Sequence, residues 1–166
     1  MESMDVVIHY IKEYGSLYLF VIVYLEYLNL PGLPAGIIMP AAGILIARSD
    51  MSFLYAIILS VVAGLLGSYT LYAIGYFIGK PALDKVYHKY KKVRPAVDKS
   101  LSYMEKYGHK GVFISRLIPV ARTLISLVAG TVRMKLRVFT FYSIGGIFLW
   151  NLAFILGGYL IGMIGK

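Results

Sequence analysis

The chain of 166 residues contains no cysteine. Disulfides, thiolate metal sites and a cysteine nucleophile are thereby excluded, while the compartment stays open. Charge is also scarce, at 15% of residues, and acidic charge scarcer still: eight Asp+Glu face 17 Lys+Arg. Soluble domains carry about a quarter of their residues charged. A hydrophobic content of 59% and a mean hydropathy of +0.74 place this chain in a membrane instead. At this length it holds only a few spans, in one membrane domain. The three histidines, His9, His88 and His109, show no metal-ligand spacing, and no motif calls for a metal or cofactor. The N-terminus offers Glu2 and Asp5 rather than a basic leader. The first hydrophobic segment therefore reads as a retained helix, not a removed signal peptide. The net charge of +9 suits anionic lipid headgroups and the positive-inside bias better than nucleic acid.

Five hydrophobic blocks are present. Val6 to Leu28 reads as a first helix, with Glu26 near its end. Leu30 to Ala47 holds Pro31, Pro34 and Pro40 along with Gly32, Gly36 and Gly43, and is too broken for a simple span. Phe53 to Ile78 and Val138 to Ile164 carry no formal charge and are long enough to cross. Gly111 to Val132 is apolar except for two charges, Arg116 and Arg122, with Pro119 between them. A guanidinium keeps its proton, and each costs roughly 2.5–3.5 kcal/mol at mid-bilayer, so both need partners. Pro119 removes a backbone donor and clashes with a straight helix. A broken, re-entrant hairpin lining a polar cavity fits this block better than a spanning helix.

The polar stretch Lys80 to Lys110 holds nine Lys/Arg against Asp84, Asp98 and Glu105. Its apolar residues Leu83, Val86, Tyr90, Val93, Val97, Leu101 and Met104 recur at steps of three or four, a helical stripe. Pro95 starts a second helix or kinks a single one. The segment either packs on the protein's own membrane face or lies on anionic lipid. If the two broken blocks are re-entrant, the N-terminus, this linker and the turn Arg133 to Arg137 share a side. That side then gathers 13 of the 17 basic residues, as a cytoplasmic face should. Five full crossings would instead split the linker from the turn.

The two halves echo each other weakly. Each has a broken block containing Ala-Gly (Ala42-Gly43; Ala129-Gly130), then a basic residue, then a long span ending in a Gly-Tyr-x-x-Gly run (Gly75 to Gly79; Gly158 to Gly162). Opposed copies flanking a midplane site are a transporter architecture.

Phe113-x-x-Arg116-x-x-Pro119-x-x-Arg122, with Ala129-Gly130 and Met134, resembles the signature of the DedA family, also called SNARE-associated or VTT-domain membrane proteins. Glu26, Pro31-Gly32-Leu33-Pro34, Pro40 to Gly43, Gly64 to Gly67 and Tyr72 to Gly75 extend the resemblance over Glu26 to Gly162. It implies an all-α integral membrane fold: a small helical bundle with two opposed re-entrant hairpins in an inverted-repeat-like arrangement, and an interfacial amphipathic helix. The expected layout is one domain over 1–166: a first helix at 1–28, hairpins at 29–48 and 111–133, spans at 53–79 and 138–164, and a cytoplasmic basic linker at 80–110. The resemblance further implies transbilayer movement of a lipid such as undecaprenyl phosphate, or of phospholipids in some relatives. Many members carry an acid where this chain has Gly36 and Ser68, which puts proton coupling in doubt here.

The candidate substrate-binding residues are Arg116, Arg122, Glu26, Pro34 and Pro119, with Glu26 also the proton-coupling candidate. On an unbroken helix the two arginines would stand about 120° apart; a break at Pro119 would let them converge on one phosphate. The bland alternative pairs each arginine with loop carbonyls or with Glu26. Pro31, Pro34 and Pro40 are expected to break the first hairpin, and the span glycines to allow close packing. Asn151, in mid-span, is expected to bond a neighbouring helix. The leading function is a flippase- or scramblase-like lipid transporter of the cell membrane, multi-pass, with a possible homodimer and no enzymatic activity. A proton- or cation-coupled small-anion transporter, or a phospholipid scramblase, is the alternative. A lipid phosphatase lacks its nucleophile and acid, and a scaffold leaves two buried arginines unexplained.

Overall fold

A computed structural model describes residues 2–28, 35–119 and 121–164, with side chains from residue 14 and from residue 36 after the first break. The described residues are helical: α1 (Glu2–Tyr27), α2 (Ala35–Arg48), α3 (Phe53–Ile78), α4 (Lys80–Lys89), a 3-10 turn (Lys91–Val93), α5 (Arg94–Tyr107), α6 (Lys110–Arg116), α7 (Ala121–Thr131) and α8 (Leu136–Ile164). Among the described residues, two helices are long and apolar enough to cross a membrane, α3 and α8. Their outward faces leave Leu54, Ile58, Phe77, Phe141 and Ile161 exposed, as lipid contact requires and water would penalise.

Glycine decides how the helices sit. A side chain at Gly43 of α2 would run into the backbone of Ile155 and Gly158 on α8. One at Gly130 of α7 would run into the backbone of Tyr72 and Tyr76 on α3. The reciprocal glycines, Gly158 against Pro40 and Gly75 against Leu127, are equally tight. Each short helix therefore lies backbone-to-backbone on the long helix of the other half of the chain, the packing that small residues permit in lipid. Gly79, expected to pack, does something else: its φ of +72° makes the turn from α3 into α4, and a Cβ there would meet nothing.

Tyr27, the last residue of α1, rests on Gly64 and Gly67 at the middle of α3, while Tyr14 lies beside Ser49 and Met51, next to the start of α3. The stretch of α1 from Tyr14 to Tyr27 thus runs along the first half of α3 and ends level with its middle. Pro40 also departs from expectation. It sits inside the continuous helix α2 instead of breaking a hairpin. The hydrogen bond its ring removes is the one to the Gly36 carbonyl, near the helix start. Pro31 and Pro34 lie outside the described residues.

The basic segment folds as its stripe suggests. Pro81 and Pro95 occupy first-turn positions of α4 and α5, so Pro95 opens a second helix. Leu83 and Val97 are buried against Val112 and Leu124, while Lys85, Lys89, Lys91 and Lys92 are exposed. The turn after α7 places Arg133 at φ 51° over the Tyr76 ring, 5.4 Å from its centroid, and Tyr72 donates to the Met134 carbonyl. The basic linker and the Arg133–Arg137 turn therefore meet at the C-terminal end of α3.

Candidate functional site

The helix breaks between Arg116 and Ala121, as Pro119 demands. The Arg122 amide donates to the Ile118 carbonyl at 3.0 Å, and the Ala121 amide to the Pro119 carbonyl at 2.8 Å. Across this break the arginines converge: Arg116 Nη1 donates to the Arg122 carbonyl at 3.1 Å. Pro119 itself is exposed, so it shapes the site without joining its buried part.

Arg116 is pinned by its surroundings. Its Nη2 donates to Ser143 Oγ of α8 at 2.8 Å and to Ser126 Oγ of α7 at 3.2 Å. Its guanidinium carbon lies 5.4 Å from the Phe139 ring centroid. The aliphatic stem crosses α8 at Gly146, where a Cβ would stand 2.7 Å from Arg116 Cβ. Arg122 donates through Nη2 to Glu26 Oε1 in a buried ion pair. Two aromatic faces enclose it, Tyr27 at 4.8 Å and Trp150 at 5.0 Å. Tyr27 donates to Asn151 Oδ1 at 2.9 Å, and Asn151 Nδ2 donates to Ser60 Oγ at 3.2 Å, so a polar chain ties the cluster to α3. Asn151 thus bonds neighbouring helices as expected.

Depth follows from these partners. Arg116 meets Gly146, Arg122 meets Trp150, and Tyr27 meets Gly64, all near the midpoints of the two long helices. Both arginines are 1% exposed and Glu26 2%. Buried charges survive in oil only when paired and hydrogen-bonded. The compensation is incomplete. Among the described residues, the buried side-chain nitrogens and oxygens without a partner are Glu26 Oε2, Ser115 Oγ, Arg116 Nε, Arg122 Nη1 and Trp150 Nε1. All five belong to the arginines, to Glu26, or to residues adjoining them. Three are obligate donors, one is a hydroxyl, and only one is an obligate acceptor.

The sequence reading brings Arg116, Arg122 and Glu26 to one place, and the structure does so too. Ser126, Ser143, Gly146 and Tyr27 escape that reading. A signal was present: Ser143, Gly146, Trp150 and Asn151 fall on one face of an otherwise apolar helix. Ser68 is buried and donates to the Gly64 carbonyl at 2.7 Å. Gly36 has open space around its missing Cβ.

The family model described as the VTT domain matches residues 33–160, most of the chain. The chain belongs to the VTT-domain (DedA) family. This VTT-domain protein is 33% identical to undecaprenyl phosphate transporter A of Staphylococcus aureus over 158 residues, covering 93% of this chain and 77% of that one. It is 30% identical to protein DedA of Escherichia coli K12 over 161 residues, covering 93% and 73%. A protein of Lactococcus lactis named alkaline phosphatase-like is 25% identical over 163 residues, covering 95% and 76%. Some relatives are longer still: one from Bacillus subtilis is matched over 62% of its length. No solved structure matches the chain.

Proposed function

We propose that this VTT-domain protein carries a phosphate-bearing lipid across the cell membrane, a polyprenyl phosphate such as undecaprenyl phosphate foremost. The observation that carries this reading is the donor excess near the midpoints of the two long helices: Arg116 Nε, Arg122 Nη1 and Trp150 Nε1 are buried without acceptors. A phosphate monoester supplies several acceptor oxygens and negative charge, and a guanidinium takes two of them in a fork. The names of transporter relatives point the same way.

In this mechanism Arg116 stays fixed by Ser126, Ser143 and the Arg122 carbonyl, while Arg122 exchanges partners. With no lipid bound, Glu26 neutralises Arg122. An arriving phosphoryl group replaces the carboxylate, and Glu26 takes up a proton or turns toward water on release. The ion pair and the headgroup complex thus alternate, so neither the structural nor the binding role of the arginines excludes the other. The hydrocarbon chain never leaves the bilayer, and only a small polar cluster must change the side it opens to.

We read α1–α2 and α6–α7 as two re-entrant hairpins entering from opposite faces, related as inverted repeats. The mid-level ends at Tyr27 and Pro119 and the two matched glycine crossings support this. The basic linker and the Arg133–Arg137 turn are then cytoplasmic, where exposed lysines meet anionic headgroups. With Tyr14 beside Ser49 and Met51, this reading moves the N-terminal end of α1 to the other face from the linker, away from the cytoplasmic side that charge counting suggests.

We read the activity as transport, not hydrolysis. The exposed His88 and His109 stand outside the arginine cluster. The test is purified protein in liposomes holding undecaprenyl phosphate, followed by a headgroup-accessibility assay and a measurement of inorganic phosphate. Movement without phosphate release is expected, and loss of movement in Arg116→Ala and Arg122→Ala. Wild-type activity in both variants would remove the site; released phosphate would make the protein an enzyme.

A further inference from the structure

The charged cluster is closed off, with Glu26, Arg116 and Arg122 at most 2% exposed. A lipid whose head enters such a cluster needs a seam through which its hydrocarbon chain remains in the bilayer. Gly43 and Gly158 seat α2 on α8, and Tyr27 on Gly67 seats α1 on α3. Neither crossing joins α1 to α2. Between these two helices an apolar groove of about 500 Å³ opens, walled by Gly15, Leu19 and Ile22 on one side and Ala41, Ala42 and Leu45 on the other.

The groove runs toward the headgroup site. Residues 15, 19, 22 and 26 follow one another at helical spacing, so Glu26 is the next step on the groove-facing stripe of α1. From Glu26 to Gly15 the helix rises about 16 Å, a length that suits a long hydrocarbon chain and not a compact soluble anion. The two walls are mainly small or branched aliphatic side chains, with Tyr14, Tyr18 and Ser49 bringing the polar atoms.

We infer that this groove between α1 and α2 binds the hydrocarbon chain of the transported lipid, continuing from a phosphate held at Arg122. The inference rests on the lipid-phosphate reading and adds the part of the substrate that the arginines do not touch. It makes the protein selective for a phosphate on a long apolar chain over free phosphate. It also gives the lipid a lateral entrance, because the groove opens to the bilayer beside the exposed Tyr18 and Ile37.

The test uses full-length protein in nanodiscs and the fluorescence of Trp150, the single tryptophan, which stacks on Arg122. Two ligands are titrated: a short water-soluble prenyl phosphate and undecaprenyl phosphate. Ala41→Phe narrows the groove, and Ile58→Phe, on the exposed face of α3, is the control. Ala41→Phe is expected to weaken the long-chain ligand about tenfold, leaving the short one within about twofold. Ile58→Phe is expected to change neither. Equal effects of Ala41→Phe on both ligands, or none on either, overturn the groove while leaving the headgroup site standing. If wild type binds neither ligand, the lipid-phosphate reading itself falls, and the groove proposal with it.

A second measurement needs no variant. Undecaprenyl phosphate bearing a photoreactive group along its chain is expected to crosslink within residues 14–22 and 37–51. Crosslinks concentrated on the outer faces of α3 and α8 would overturn the proposal. So would equal labelling by the neutral polyprenol, which would mark a site for any membrane chain.

Discussion

Replacing Arg122 by methionine separates what the site does for the fold from what it does for transport. The substitution removes the guanidinium from a pair in which both partners are essentially buried, and leaves the Glu26 carboxylate alone at mid-bilayer. Removing one partner of a buried pair costs about 3–5 kcal/mol, most of it the desolvated charge left behind. The methionine thioether retains contact with the Tyr27 and Trp150 rings that now enclose the guanidinium, so packing loss is small. Glu26→Gln added to Arg122→Met removes the orphaned charge while keeping shape. The double variant is expected to return to within about 1–2 kcal/mol of wild type, because replacing a buried pair by neutral groups of similar volume is near neutral. Reversible unfolding in mixed micelles, followed by circular dichroism, gives the four stabilities of the cycle. Headgroup accessibility in liposomes gives the four activities. The expected pattern is a stable but inactive double variant. A double variant that transports like wild type would show that Arg122 is only half of a structural pair. A single variant as stable as wild type would mean that the ion pair is not desolvated at all.

Trp150→Phe keeps a ring over Arg122 and deletes the unpartnered indole N–H; weakening of undecaprenyl phosphate binding by about three- to tenfold is expected, read as loss of ligand-induced thermal stabilisation. Adjacent glycines should respond oppositely to alanine. Gly158→Ala drives a methyl into the Pro40 backbone and is expected to cost at least about 1–3 kcal/mol, whereas Gly157→Ala meets open space and should be neutral or stabilising by up to about 1 kcal/mol in the same unfolding assay. Single cysteines at the exposed Asp50 and Lys99, introduced into a chain that has none, should label from opposite faces of intact membranes; labelling from one face would overturn the opposed arrangement.

Much of the site was legible because electrostatics in oil leaves few choices. Two arginines flanking a proline in an apolar run must turn inward, and Glu26 was the carboxylate within the blocks able to meet them. The long spans were equally legible: α3 covers the uncharged run from Phe53 to Ile78, and Pro95 opens α5. Other features depended on tertiary facts that local pattern does not carry. The stripe of α1 looks like that of any crossing helix, and only contact with Gly64 and Gly67 shows how far along α3 it reaches. Pro40 reads as a breaker, and only the continuous helix α2 packed on α8 shows otherwise. Ser126 and Ser143 are ordinary in sequence and become ligands of Arg116 only once α7 and α8 are brought together.

The exchange of partners between halves, with α2 lying on α8 and α7 on α3, has a consequence for biogenesis. Helix α2 finds its glycine partner on α8, made much later, so it must wait in the translocation machinery or against lipid until α8 emerges. The N-terminal half expressed alone would present Gly43 and Gly75 as bare seams, each lacking the helix that closes it. Assembly therefore needs both halves, and separately produced halves should be short-lived apart and rescue one another when made together.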